Sequence, residues 1–224
     1  MPSSPTHSRS LRWVRTPQQA RSHETLGRIL DTAETLVAEK GFEDTTVAEV
    51  ALRARSSVGA FYSRFRDKEG LLHALYERYL EQAMATADDA LDPQRWEGAG
   101  VAEILASVID FLVEIYRERG GLIRAFVVRN HTDAEFAARQ ERLSHYVATR
   151  LSELLLARRE EIHQHDPERA VAFGLMMAFA TIENVVLFGE ARSFLALSDA
   201  DLSAELTRSL LAYLGVENPS TPSA

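Results

Sequence analysis

Apolar residues recur along this chain at helical spacing, and no stretch alternates as a strand would. Leu26, Ile29, Leu30, Ala33, Leu36 and Val37 predict a first helix over about residues 21–40, stopped by Gly41. Thr46, followed three residues later by Glu49, predicts a capping box and a short helix with Val47, Val50 and Ala51 on its apolar face. Ala54, Arg55 and Ser56 interrupt that pattern. Ser57 then caps a second short helix, with Phe61 and Phe65, four apart, on one side. Val58, Ala60, Ser63 and Arg64 lie on the other side, with Tyr62 beside them. Asp67 caps a longer helix that starts at Lys68 and is ended near Leu91 by Asp92-Pro93.

Beyond the loop marked by Gly98 and Gly100, the stretch from Val101 to Arg119 is amphipathic through Ile104, Leu105, Val108, Phe111, Leu112, Ile115 and Tyr116, with Gly120-Gly121 as its stop. A short segment from Leu122 to about His131 and a long helix from Asp133 to about Ile162 follow. From Pro167 to Phe188 almost every face is apolar, which leaves no side suited to water. The last helix, Ser198 to Leu214, repeats Leu202, Leu206, Leu210 and Leu214 at spacing four. The expected fold is therefore all-α. A basic flexible arm (1–20) precedes a three-helix head (21–66), a helical body (67–216) and a disordered tail (217–224).

A short helix with a buried face, a three-residue turn and a small-then-polar second helix describe a helix-turn-helix, whose second helix enters the DNA major groove. The run Thr45 to Lys68 also resembles the DNA-binding segment of TetR-family repressors. The resemblance rests on Gly41-Phe42, Thr45-Thr46-Val47, Glu49-Val50-Ala51, Gly59, Phe61-Tyr62, Phe65, Asp67-Lys68-Glu69 and Leu71-Leu72. It implies phosphate contacts from Thr46, Tyr62, Arg64 and Lys68, and base-facing positions at Ser57, Val58, Gly59 and Ser63. It also implies a homodimer on a palindromic operator, released when an effector in the body tilts the helix that starts near Lys68. Two residues depart from the family pattern: Arg55 where glycine is usual, and Ser56 where an apolar residue is usual. A left-handed turn costs a non-glycine residue about 1 kcal/mol, so the turn is expected to be reshaped rather than abolished, and the apolar plug lost at Ser56 is expected to loosen the packing of the two helices. The alternative reading follows from this: a helical ligand- or protein-binding dimer whose head has lost DNA specificity.

Net charge changes this picture less than its total of −8 suggests. Residues 1–68 hold eleven Arg plus Lys against eight Asp plus Glu, giving +3, and the remainder holds 14 against 25, giving −11. A basic front on an acidic body is the asymmetry of a chain that meets phosphate at one end. With no cysteine, disulfides and thiolate chemistry are excluded, which fits a reducing compartment. The N-terminus has no apolar signal core, and the uncharged run Ala170 to Ile182 is shorter than the ~20 residues a bilayer span needs. A cytoplasmic protein is expected.

No nucleophile elbow, glycine-rich phosphate loop or other catalytic setting is present, so no enzyme activity and no cofactor are expected. His163, His165 and Asp166 sit at a helix break, where such residues are more often solvated surface than metal ligands. An apolar small-molecule site in the body would draw on Phe111, Ile115, Tyr116, Phe126, Tyr146, Met176 and Phe179, with Arg124, Asn130 and Glu183 as polar anchors. Core packing accounts for the apolar ones equally well. Glu183 and Asn184 could instead pair across a subunit interface. That interface is expected from the last two helices as a four-helix bundle, through Met177, Val185, Leu202, Leu206 and Leu210.

Overall fold

The computed structural model describes residues 20–188 and 197–217. The expected N-terminal arm, with Trp13 and its arginines, and nearly all of the expected tail lie outside the described residues. Among the described residues every regular element is a helix: α1 (Ala20–Lys40), α2 (Val47–Arg53), α3 (Val58–Tyr62), α4 (Lys68–Ala90), α5 (Val101–Glu118), α6 (Gly120–Asn130), α7 (Ala134–Leu156), α8 (Pro167–Ile182) and α9 (Asp199–Leu214). The chain forms two compact units, one ending at Gln82 and the other beginning at Ala83, so the division falls inside α4.

In the first unit, α1 buries Leu26, Ile29, Leu30, Ala33, Leu36 and Val37, the face its periodicity marks. Gly41 takes φ +84, the left-handed conformation that ends a helix without cost to a glycine, and its N–H donates to the Val37 carbonyl at 2.9 Å. Thr45 is buried behind this turn, its hydroxyl donating to the Gly41 carbonyl at 2.8 Å. Arg78 of α4 pairs with Asp31 at 2.6 Å and with Glu34, both on α1.

The second unit is built around α5, α7, α8 and α9, whose inward residues include Ile104, Leu105, Leu151, Leu155, Val171, Leu175, Leu202 and Leu211. Burying each such side chain contributes about 1.5–3 kcal/mol. The N-terminus of α5 has no side-chain cap of its own; the Glu161 carboxylate accepts from the Val101 N–H at 2.8 Å instead. Arg158 fastens the same loop by donating to the carbonyls of Trp96 and Ala99. α9 opens with a complete capping box, Ser198 with Asp201, and closes at Gly215 in the left-handed conformation, φ +69.

Three boundaries differ from expectation. Gly120 and Gly121 lie in the first turn of α6 rather than in a gap, so α5 and α6 meet at the single residue Arg119. The long helix from Asp133 stops at Leu156, followed by a 3-10 turn at Arg159–Glu161. α8 does not run on as an α-helix to Phe188; from Glu183 to Leu187 it widens into a π turn. Taken together, Pro167–Leu187 is 21 residues long and meets the length and composition of a membrane span, a test that the core helix of a folded unit also passes. Val171, Leu175, Ala178 and Ile182 spend one side of it on the unit's own core.

The crossing of α8 and α9 turns on Gly174, where an added Cβ would stand 3.1 Å from Leu210 Cδ2 and 3.7 Å from the Tyr213 ring. Leu210 therefore seats on the glycine and is 3% exposed. Leu210→Ala is expected to cost the body about 2–5 kcal/mol through the cavity left at this crossing. Urea unfolding of the purified protein measures it, and a loss below ~1 kcal/mol would mean that the site collapses freely.

Candidate nucleic-acid interface

The helix-turn-helix is held by two caps and one aromatic pair. Thr46 Oγ1 accepts from the Glu49 N–H at 3.3 Å and starts α2. The return half of the expected capping box is replaced, because the Glu49 carboxylate pairs with Lys40 of α1. Ser57 Oγ accepts from the Ala60 N–H at 3.0 Å and starts α3. Each hydroxyl accepts in its cap, so its own proton remains available to an outside acceptor such as phosphate. A helix as short as α3 has little stability alone. It is fixed by Phe61 and Phe65, both fully buried with ring centroids 5.0 Å apart.

The turn between α2 and α3 keeps the left-handed geometry that glycine usually supplies. Arg55 has φ 51, the one positive φ at a non-glycine among the described residues. Its N–H donates to the Leu52 carbonyl at 3.1 Å, and the Ser56 N–H donates to the Ala51 carbonyl at 2.8 Å. The expected reshaping has not occurred. The 5→2 and 6→1 backbone bonds that close α2 require this conformation, and together they outweigh a strain of about 1 kcal/mol. Ser56 is the weaker fit: its hydroxyl is buried with no hydrogen-bond partner among the described residues.

With Phe61 turned inward, Ser57, Val58, Gly59, Tyr62 and Ser63 are exposed around α3. Tyr62 is 49% exposed and stands edge-on to Phe61 at 5.4 Å, so its ring is braced on one side while much of the residue stays open to solvent. Ser63 and Arg64 are committed to the helix itself. The Ser63 hydroxyl donates to the Ala60 carbonyl at 2.8 Å, and Arg64 Nη1 donates to the same oxygen at 2.6 Å. The last carbonyls of a helix have no partners of their own, which draws both side chains back.

Lys68 differs most from its expected phosphate role. Its ammonium donates to the carbonyls of Phe42 at 2.9 Å and Glu43 at 3.0 Å, and sits 4.4 Å from the centre of the Phe42 ring. In the free protein it clasps the start of α4 to the turn after α1. Sequence reading missed this because the partners are backbone carbonyls, which leave no mark in the residue pattern.

In the body, the expected effector residues do not converge as one group. Met176 is 57% exposed and Phe111 is exposed on α5. Arg124 is exposed, its guanidinium 5.9 Å from the Phe188 ring centre. Phe126 is buried against Phe136, ring centroids 6.3 Å apart, and the Asn130 amide lies 3.2 and 3.3 Å from the carbonyls of Phe126 and Phe136. Tyr146 donates its hydroxyl to Asp88. Tyr116, Ile115 and Phe179 are half-buried, and so is Glu183, which opens the π turn. Burial pushes the Glu183 carboxyl above its ordinary range, with nearby His131 opposing the shift.

Of the expected interface residues, Leu202 and Leu210 point into the protomer's own core, which removes them from a partner's reach. Met177, Val185 and Leu206 are half-buried. The His163 ring contacts the Gly215 carbonyl, Nδ1 to oxygen 2.9 Å. Among the described residues no three His, Cys, Asp or Glu side chains come together to hold a metal.

A capped helix pair with an exposed small-residue second helix, set on an all-helical chain, defines a DNA-binding regulator of the helix-turn-helix class. Known families agree: residues 29–75 match the bacterial regulatory proteins of the tetR family, and residues 101–214 match the tetracyclin repressor-like C-terminal domain. The chain belongs to the TetR family of transcriptional regulators and is not an enzyme. It is 32% identical over 108 residues to YerO of Bacillus subtilis (strain 168), an uncharacterized HTH-type transcriptional regulator, covering 48% of this chain and 37% of that one. It is 33% identical over 63 residues to the transposon Tn10 TetC protein of Escherichia coli, covering 28% and 32%. The chain thus spans well under two thirds of the length of these relatives.

Solved structures share the fold at lower identity. A transcriptional regulator from Rhodococcus sp. Rha1 superposes with a TM-score of 0.66 at 20% identity over 84% of this chain and 95% of that one. The transcriptional regulator FadR from Bacillus subtilis, solved in complex with stearoyl-CoA, gives 0.59 at 20% identity over 86% and 100%.

The raised Glu183 carboxyl has a consequence for stability. A group whose folded-state value lies above its unfolded value contributes fully below the unfolded value, here near 4.5, and loses that contribution as pH rises through the folded value. Glu183→Gln is therefore expected to raise the melting temperature at neutral pH, with the gain vanishing below about pH 4.5. A gain of equal size at all pH values would mean that desolvation of the charge is not its cause.

Proposed function

We propose that the chain is a ligand-responsive repressor that binds a palindromic operator as a homodimer and is released by a small, mostly apolar effector. The observation that carries the DNA reading is Gly59. It lies in α3 without a positive φ, and a Cβ built there would meet nothing nearer than Ser57 Oγ at 3.8 Å. The fold has no use for a glycine at that place, where it costs about 1 kcal/mol relative to alanine. A bare backbone at the exposed surface of α3 serves the close approach of something outside the chain. Thr46, Ser57 and Tyr62 around it offer hydroxyls to phosphates, and Val58, 43% exposed, suits a thymine methyl. Work on operator DNA implies the cytoplasm. The alternative reading, a head without specificity, rests on a reshaped turn and loses its support with the turn intact.

The dimer reading moves from the leucine repeat to the open side of α8. Ala172, Phe173, Met176, Ala180 and Asn184 are exposed at helical spacing, and the Phe173 ring lies 5.8 Å from that of Tyr213 on α9. Apolar side chains on this side, beside half-buried Leu206, suit a second copy in a four-helix arrangement. For the effector, Glu183 supplies one polar anchor where α8 widens, and π turns recur at functional sites. The long acyl chain bound by the similarly folded FadR exemplifies an apolar ligand class. An effector acts only through different affinities for the DNA-bound and released states. α4 is the one element that belongs to both units, which suits it to carry the change.

Gly59→Leu is expected to leave the head folded, since leucine is the better helix former, and to weaken binding to the chain's natural upstream DNA by about tenfold or more, ~1.4 kcal/mol. Fluorescence anisotropy on a labelled duplex reads this, and wild-type affinity would take α3 out of the groove.

Met176→Glu is expected to give soluble, folded monomers, because the carboxylate meets water in the separated subunit and an apolar neighbour in the dimer. Analytical ultracentrifugation decides it; an intact dimer would place the interface elsewhere.

A further inference from the structure

Among the described residues, the head unit has few free positive charges. Arg28 is bonded to Glu24 at 2.9 Å and reaches the Ala54 carbonyl at 3.3 Å; Lys40 pairs with Glu49; Arg53 holds Glu39 at 2.8 Å. Arg64 and Lys68 are spent on backbone carbonyls, and Arg78 on Asp31 and Glu34. Arg66 lies 3.9 Å from Asp67. Arg55 is exposed, and its guanidinium has no partner among the described residues. It is also the residue held at φ 51, where glycine or asparagine would rest more easily. From Val50 to Arg66 the chain carries four arginines and no acidic residue, although the whole protein is acidic.

We propose that Arg55 is a phosphate-contacting residue of the DNA interface, kept in a strained turn because its free guanidinium stands at the entrance of α3. This rests on the reading of α3 as the helix that enters the major groove. Arg55 is three residues before Val58, so their Cα atoms are at most about 11 Å apart. A residue so close to the first turn of a groove-bound helix lies at the groove's rim, where the phosphate backbone runs. Strain at a non-glycine residue persists where the surrounding structure over-determines it, and such sites gather at functional surfaces. The backbone bonds that close α2 supply the over-determination, and the unpaired cation supplies the function. Arginine donates in a planar fork that matches a phosphate, and one contact releases counterions without reading sequence. The departure from the family's glycine thus adds affinity for duplex DNA in general, in place of the charge that Arg64 and Lys68 direct inward.

The test uses the full chain and three forms, wild type, Arg55→Gly and Arg55→Lys, on two duplexes, the natural upstream region and a scrambled sequence of equal length. Arg55→Gly is expected to bind both duplexes about five- to tenfold more weakly, and to reduce the slope of log affinity against log salt by about 0.9. The same variant is expected to melt about 2–4 °C higher, because the turn is relaxed. Arg55→Lys keeps the slope. An unchanged slope in Arg55→Gly overturns the proposal, since any weakening would then come from the relaxed shape of the turn and not from a lost phosphate contact. Weakening confined to the natural sequence also overturns it, since Arg55 would then read a base. If wild type and both variants bind neither duplex, the reading of the head as a DNA-binding unit falls with it.

Discussion

The head depends on the burial of Phe61 and Phe65. Neither α2 nor α3 is long enough to be stable by its own hydrogen bonds. What holds them is one aromatic face driven inward, which leaves the remaining faces of α3 to solvent or to a partner. Every other feature of the head follows from that orientation. Tyr62 is braced against Phe61, Ser57 and Thr46 are placed at helix starts, and Arg55 is carried at the turn between them. The left-handed turn is a consequence too, because a chain that reverses in so few residues closes α2 with backbone bonds that only this conformation reaches.

The charges of the head are arranged on the same logic. Most of its cations pair with acids or with carbonyls, so they knit the helices together rather than face outward. Exposed ion pairs such as Arg53 with Glu39 add little to stability, because water and salt screen them. Lys68 is the stronger device, since it satisfies two carbonyls of a turn that has no helix to absorb them. Among the described residues of the head, the positive charge available to DNA is therefore smaller than a count of lysines and arginines suggests.

In the body, the constraint is α8. It is apolar nearly all round, so one side enters the core while Phe173 and Met176 remain open. Its final turn widens at Glu183, whose carboxyl is half-buried and held toward its neutral form. A widened turn, a carboxyl that resists ionisation and an exposed apolar side on one helix bring the proposed effector anchor and the proposed subunit interface onto a single element. A shift at one of them has a direct route to the other.

Sequence alone determined the helices of the head and body, because periodicity at 3.6 residues and capping by Thr46, Ser57, Asp133 and Ser198 are local properties. It also determined the buried face of α1 and the inward Phe61 and Phe65. Tertiary structure decided what periodicity leaves open. On α8 every face is apolar, so the pattern gives no direction, and the close approach at Gly174 is what turns Leu210 inward and leaves Met176 out. The leucines of α9 were legible as one stripe but not as a stripe facing its own chain, since a core and a subunit interface make the same demand on side chains. Lys68, Ser63 and Arg64 were legible as polar residues near the reading helix, while their partners, carbonyls without helical bonds, exist only once the chain has folded. The strain at Arg55 belongs to the same class. Its residue type is written in the sequence, but its φ is imposed by the bonds that close α2.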